Sequence, residues 1–199
     1  MLYVDSRPVT RFTKPGLRRR FYQFRQFVEG DVIKAIRKVG EPVRKVERME
    51  EVFIVPGRDE HVVKIIDGER FAMRTLLDRK KGIEHWEVDA QESLPIRRGL
   101  SAIIGARVPR LRTALMTFIE PAKLSTAMAK RTKRFESDTK IEEMRVGEVK
   151  LYLCAHAIDG ELSHSVVLRA DTPESIREVM ESLPLSPEQS ANLNAYLTQ

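Results

Sequence analysis

Residues 50–87, EEVFIVPGRDEHVVKIIDGERFAMRTLLDRKKGIEHWE, decide how this chain folds. A strand over Val43 to Val55 stops at the turn Pro56-Gly57-Arg58-Asp59. His61 to Ile66 is the next strand, and Asp67-Gly68 turns it, a dipeptide suited to a tight hairpin. Phe71 to Asp78 returns, and Lys81-Gly82 leads into Ile83 to Val88. Four strands in about 45 residues is the spacing of a sandwich or a barrel.

Strands continue on both sides of this meander. Upstream, Arg18 to Phe27 (RRRFYQFRQF) is rich in aromatics and free of Gly and Pro. Alternation puts Phe21, Gln23, Arg25 and Phe27 on one face and Tyr22, Phe24 and Gln26 on the other. Asp31 to Val39 carries Val32, Ile33, Ile36 and Val39 at helical spacing, and Gly40 ends it. Downstream, helices fill roughly residues 96–130, broken at Pro109 and Pro121. Strands are expected over 130–136, 141–146, 148–157 and 161–169, with turns at Val146-Gly147 and Asp159-Gly160. One closing helix starts at Asp171, with Pro173 early and Glu174 completing a capping box, and a second starts at Ser186 with Pro187 and Gln189. Residues 1–17, with Pro8, Pro15 and Gly16, read as an irregular basic arm before a single domain over 18–199. Eight or nine strands interrupted by helices make an antiparallel α+β domain. No GxGxxG or GxxxxGK[ST] is present, so nothing supports a Rossmann or P-loop core.

Composition narrows the class of protein. Hydrophobic residues are 42% of the 199-residue chain and charged residues 32%, too apolar for disorder and too charged for a membrane protein. Apolar runs such as Ser101 to Ala106 fall far short of the ~20 residues of a transmembrane helix. The start, MLYVDSRPVTRF, places charges where a signal peptide needs an apolar run, so a cytoplasmic protein is expected. One cysteine, Cys154, excludes an intramolecular disulfide and a multi-cysteine zinc site. The net charge of +6 favours an anionic partner.

The four histidines have no HExxH or HxH spacing. If Asp159-Gly160 is a two-residue turn, position 156 opposes 163, and His156 shares a face with Cys154 while His164 points the other way. A Cys-His-His metal site is therefore disfavoured. The strand cations say more. Lys64 in HVVKIID and Arg74 in FAMRTLLD can project to one face of the hairpin turned by Asp67-Gly68. Arg25 and Arg134 are further candidates, with Lys130 on the face of Arg134. A cation flanked by apolar residues is costly to bury unless an anion pairs it. Several converging in one barrel would make a polyphosphate site, since phosphoryl oxygens need many donors and positive charges. Other basic clusters, Arg107/Arg110/Arg112 and Lys130-Arg131-Lys133-Arg134 among them, could meet nucleic-acid phosphates without reading sequence.

The stretch over 50–87 resembles the second to fourth strands of CYTH-domain proteins, the triphosphate tunnel metalloenzyme superfamily. The likeness is to a divergent branch with an aromatic-arginine first strand (RRFYQFRQF), a "VKI-DG" hairpin (Val63 to Gly68) and a "GLE-W" strand (Gly82 to Trp86). KRTKRFE (Lys130 to Glu136) resembles its basic strand, and Ala157 to Leu183 its closing hairpin and helix. The resemblance implies an antiparallel eight-stranded tunnel with helices outside. The superfamily's first-strand signature is ExExK, whose glutamates help hold a divalent metal and whose lysine contacts phosphate. Phe21, Gln23 and Arg25 stand at those positions here, and Tyr152 and Ala155 at later acidic ones. Glu51 and Glu84 are not expected to be ligands. A Mg²⁺ site needs oxygen ligands, usually carboxylates. The altered signature therefore implies binding of a triphosphate, nucleotide or polyphosphate by Arg25, Lys64, Arg74, Arg134 and Lys130, without metal-dependent turnover and with no cofactor. Two alternatives stand beside it: an active phosphohydrolase using Mg²⁺ or Mn²⁺, and a structural module meeting an acidic protein or RNA.

Overall fold

The structure, a computed structural model, describes residues 19–96, 98–117, 120–158, 160–191 and 196–197. The arm expected over 1–17 lies outside the described residues. Eight strands run in chain order: β1 (Arg20–Phe27), β2 (Glu41–Ile54), β3 (His61–Ile66), β4 (Arg70–Lys80), β5 (Ile83–Ser93), β6 (Lys133–Val146), β7 (Val149–Ile158) and β8 (Glu161–Ala170). Helix α1 (Gly30–Val39) follows β1, α2 (Arg98–Arg107), α3 (Pro109–Thr117) and α4 (Pro121–Ala129) follow β5, and α5 (Pro173–Glu181) follows β8. The strands close into a barrel in the order β1-β5-β4-β3-β2-β6-β7-β8, every neighbouring pair antiparallel. This is the eight-stranded barrel with outer helices that the resemblance implies.

Local chemistry sets the turns. Asp67 and Gly68 both take positive φ, 55° and 66°, as a hairpin turn matched to strand twist requires. Lys81 and Gly82 do the same at 50° and 76°. Pro109 and Pro121 open α3 and α4, where a missing N–H leaves no helix bond unmade.

Two apolar layers coat the outside of the barrel. Ile33 and Ile36 of α1 and Ile176, Val179 and Met180 of α5 pack with Phe24, Leu151, Leu153, Val166 and Leu168. Ile104, Leu111, Leu124 and Met128 of α2–α4 pack with Phe53, Val63, Ile65, Phe71 and Met73. Strand residues of the opposite parity therefore face the barrel interior.

Three expectations need correction. Segments 130–136 and 141–146 are one strand, β6, because Ser137-Asp138-Thr139-Lys140 continues the alternation, its hydroxyls buried and its charges exposed. The cap of α5 is Thr172, whose Oγ1 accepts from the Ser175 N–H at 3.4 Å, rather than Asp171 with Glu174. In place of a helix from Ser186 there is a single 3-10 turn over Pro187–Gln189. The chain is then captured by β1: Ser190 bridges Gln26, the Ala191 N–H donates to the Arg25 carbonyl at 3.0 Å, and Arg79 donates to the Ser190 carbonyl at 2.6 Å. Tyr196 and Leu197 complete the path, with Tyr196 stacked on Phe27 at 3.6 Å between ring centroids. Together with Val52, Ile54, Phe135 and Ile158 they stop one end of the barrel. Among the described residues no helix is long and apolar enough to cross a membrane.

Gly82 is where this terminal capture meets the barrel. A Cβ there would lie 2.5 Å from the Pro187 carbonyl oxygen, whereas one at Gly57, also at positive φ, would meet nothing within 4 Å. The left-handed backbone alone costs a non-glycine residue roughly 1–2 kcal/mol. Urea unfolding should show that loss for Gly57→Ala and a clearly larger one for Gly82→Ala.

Candidate functional site

The interior is built by alternation against the two apolar outer layers. Because Phe24 points out, Phe21, Gln23 and Arg25 of β1 point in. Because Phe53, Val63, Ile65, Phe71 and Met73 point out, Arg48 and Glu50 of β2, Lys64 of β3 and Arg74 of β4 point in. The same logic brings in Glu84 and Trp86 of β5, Tyr152, Cys154 and His156 of β7, and Ser165 and Arg169 of β8.

Two arginines share one aromatic ring. The Arg74 guanidinium carbon lies 5.4 Å and that of Arg169 5.0 Å from the Phe21 centroid, and Arg169 also lies 5.2 Å from that of Tyr152. Arg169 Nε donates to Gln23 Oε1 at 3.0 Å. Gln23 Nε2 donates in turn to Glu84 Oε2 at 3.4 Å, which also accepts from the Trp86 indole at 2.9 Å. Arg74 has no carboxylate or other hydrogen-bond acceptor among the described residues; its partner is the Phe21 face. Deeper in, Arg25 Nη1 donates to Ser165 Oγ at 3.0 Å, while its Nε is buried without a partner. His156 joins Ser165 Oγ through Nε2 at 3.0 Å and Thr139 Oγ1 through Nδ1 at 3.2 Å. Glu50 holds both Lys64 and Arg48.

The electrostatics follow from the excess of cations. In this cluster Arg25, Arg48, Lys64, Arg74 and Arg169 stand with two carboxylates, Glu50 and Glu84. Burial alone would raise the Glu50 carboxyl, but Lys64 and Arg48 hold it well below the usual carboxylate range. Burial lowers Lys64 to about 8 against the opposing pull of Glu50. Burial first and Arg169 second push Arg74 well below its ordinary value. Burial raises the Glu84 carboxyl. Burial and then Arg25 lower His156 to about 3, so its ring is neutral. Solvent still reaches the cluster, since the Arg48 and Lys64 side chains keep 28% and 16% of their exposure.

Of the cations singled out in the sequence, Arg25, Lys64 and Arg74 come together here. Arg134 does not: β6 pairs it with Phe53, so it shares the outer face and bonds Glu51 at 3.3 Å, Ser125 of α4 at 3.4 Å and Glu136 at 2.9 Å. Its neighbour Phe135, opposite Val52, is the one that faces in. Lys130 caps α4 on the exterior. His156 opposes Ser163 and Ala155 opposes His164, the register expected from the turn. Sequence reasoning missed Arg169 and Arg48. The signal for Arg169 was present: VVLRAD flanks it with apolar residues as HVVKIID flanks Lys64.

The resemblance implies a divalent metal, and the described donors do not fit one. Phe21 and Gln23 offer no carboxylate, Glu50 is engaged by two cations and Glu84 by an amide and an indole. No group of three or more His, Cys, Asp or Glu side chains among the described residues is placed to hold a metal.

Solved structures share the fold. The PH1012 protein of Pyrococcus horikoshii OT3 matches with a TM-score of 0.55 and 14% identity over 89% of this chain and 98% of that one. A conserved hypothetical protein from Pyrococcus furiosus gives 0.52 and 16% over 86% and 94%. The PH1819 protein of Pyrococcus horikoshii OT3 gives 0.52 and 11% over 89% and 98%. No family model matches the chain, and no curated protein matches it. The fold shared with these structures is the CYTH-like one, a closed eight-stranded antiparallel barrel with flanking helices.

His156 offers a check on the cluster's charge. Its folded value of about 3 lies below the reference 6.5, so its contribution to stability is present above pH 6.5 and lost as pH falls toward 3. That loss amounts to about 1.4 kcal/mol per pH unit in the window. By NMR the His156 ring should show no titration from about pH 7 to about pH 4. His156→Gln should flatten the acid limb of the stability curve. A ring that titrates near the reference value would show that the cations beside it are compensated.

Proposed function

We propose that the barrel binds a phosphorylated anion, a triphosphate, nucleotide or inorganic polyphosphate, through Arg25, Lys64, Arg74 and Arg169, without metal-dependent turnover. The observation that carries this reading is Arg74, a half-buried guanidinium beside a second guanidinium with only a ring face for a partner among the described residues. Such a group is destabilising in the empty protein and is relieved by an anion. Arginine also suits the ligand, because its planar fork meets two phosphoryl oxygens at once. Where the superfamily pattern neutralises phosphate charge with a metal held by acids, protein cations do so here.

Arg74 is a sharper test than Lys64, because Glu50 already pairs Lys64. A charge-assisted hydrogen bond is worth about 1.5–3 kcal/mol, which sets the loss for Arg74→Met at about 10- to 150-fold in triphosphate affinity. The melting temperature of the unliganded variant should stay level or rise, and its increase with triphosphate should disappear. Lys34→Met, on the exposed face of α1, should change neither. Affinity should also fall as pH rises past about 8, where Lys64 loses its proton, and Lys64→Met should lack that dependence. An Arg74→Met variant that binds triphosphate as well as wild type sinks the reading. Phosphate release that requires Mg²⁺ or Mn²⁺ replaces it with the phosphohydrolase.

A further inference from the structure

Many cations on the outer surface are matched to acids, among them Arg37 to Glu142, Arg44 to Glu143, Lys140 to Glu47 and Arg177 to Glu174. One cleft departs from this. It has a volume of about 640 Å³ and is lined by Pro56, Arg110, Lys130, Arg131, Thr132 and Lys133, with no carboxylate among them. Arg110 comes from the start of α3, Lys130 caps α4, Arg131 and Thr132 link α4 to β6, and Lys133 opens β6. All four cations are exposed. None has an ion-pair partner among the described residues; the Arg131 contact is a hydrogen bond to the Ala127 carbonyl at 3.1 Å. Lys133 sits 4.8 Å above the Phe135 ring centroid, a neutral partner that leaves its charge unmatched.

We infer that this cleft is a second anion site, separate from the barrel interior, and that it takes the phosphodiester backbone of single-stranded nucleic acid. The donors are exposed, with no buried polar anchor, so they suit a repeating chain of phosphates rather than one shaped small molecule. A single strand can follow a concave cleft, which a stiff duplex cannot enter without bending. No aromatic side chain is among the residues lining the cleft, so base stacking and sequence preference are not expected. Attraction of this kind works through release of counterions and carries a defined salt dependence.

The test is fluorescence anisotropy with a labelled oligouridylate bearing a 5′-hydroxyl end, which offers no terminal phosphate to the barrel. With four cations engaged, log Kobs against log salt should have a slope of about −3, or an affinity loss of about 50-fold from about 50 to about 200 mM salt. Arg110→Glu with Lys133→Glu should weaken binding at least about tenfold and reduce the slope by at least about 1.4. Lys140→Glu, far from the cleft, and Arg74→Met, inside the barrel, should leave both unchanged. An equal loss with Lys140→Glu would mean diffuse attraction by the net charge and would overturn the site. So would no binding at low salt, or binding of inorganic polyphosphate with none of the oligonucleotide. Loss with Arg74→Met but not with the cleft variants would assign the nucleic acid to the barrel and likewise end the inference.

Discussion

Closure of the eight-stranded sheet turns simple alternation into a buried cluster of charge. On an open sheet Lys64 and Arg74 would lean into water. Here β1 pairs with β5 on one side and β8 on the other, so the inward positions of every strand face one another across a confined space. The outer faces have no room for them, since both are coated by helices on apolar residues. Cations in that interior must be met by carboxylates, dipoles, rings or a ligand. Glu50 meets two of them, Ser165 and Gln23 each offer an oxygen to a third and a fourth, and Arg74 is left with a ring.

Phe21 shows how the first strand meets this constraint. At a position where the superfamily pattern has an acid, a phenyl ring presents a face to two guanidiniums. A carboxylate there would neutralise both and close the cluster on itself. The ring holds them with a weaker, non-ionic attraction and engages none of their N–H groups, of which the Arg169 Nε donates to Gln23. Gln23 acts similarly: a neutral amide, it accepts from Arg169 and donates to Glu84, transmitting position without adding charge. The result is a cluster short of negative charge, the property an anion-binding interior needs.

Several exterior cations are instead matched to acids. Arg134, one residue out of phase with the inward set, is matched to Glu51 and Glu136 and adds no surplus. Arg107 of α2 likewise bridges Glu87 and Asp89 on the outer face of β5. Among the described residues, the barrel interior and the cleft at the start of β6 each gather several cations that acids do not fully match.

Much of the architecture was legible in the residues because short-range physics governs it. Asp67-Gly68 can only turn tightly, the apolar alternation of β3 and β4 has one consistent register, and His156 opposes Ser163 in the register that pairs Ile158 with Glu161. The polar run Ser137 to Lys140 concealed the middle of β6, since its burial depends on partners in β2 and β7 that lie far away in the chain. Arg25, Lys64 and Arg74 could be singled out as strand cations among apolar neighbours, but their meeting, the pairing of Lys64 with Glu50 and the isolation of Arg74 belong to the closed barrel. Arg134 looks the same as these in sequence, and only the β2–β6 register turns it outward. Periodicity along one strand says which residues share a face; which face is inside is settled by what packs against the other, and that is a property of the assembled layers.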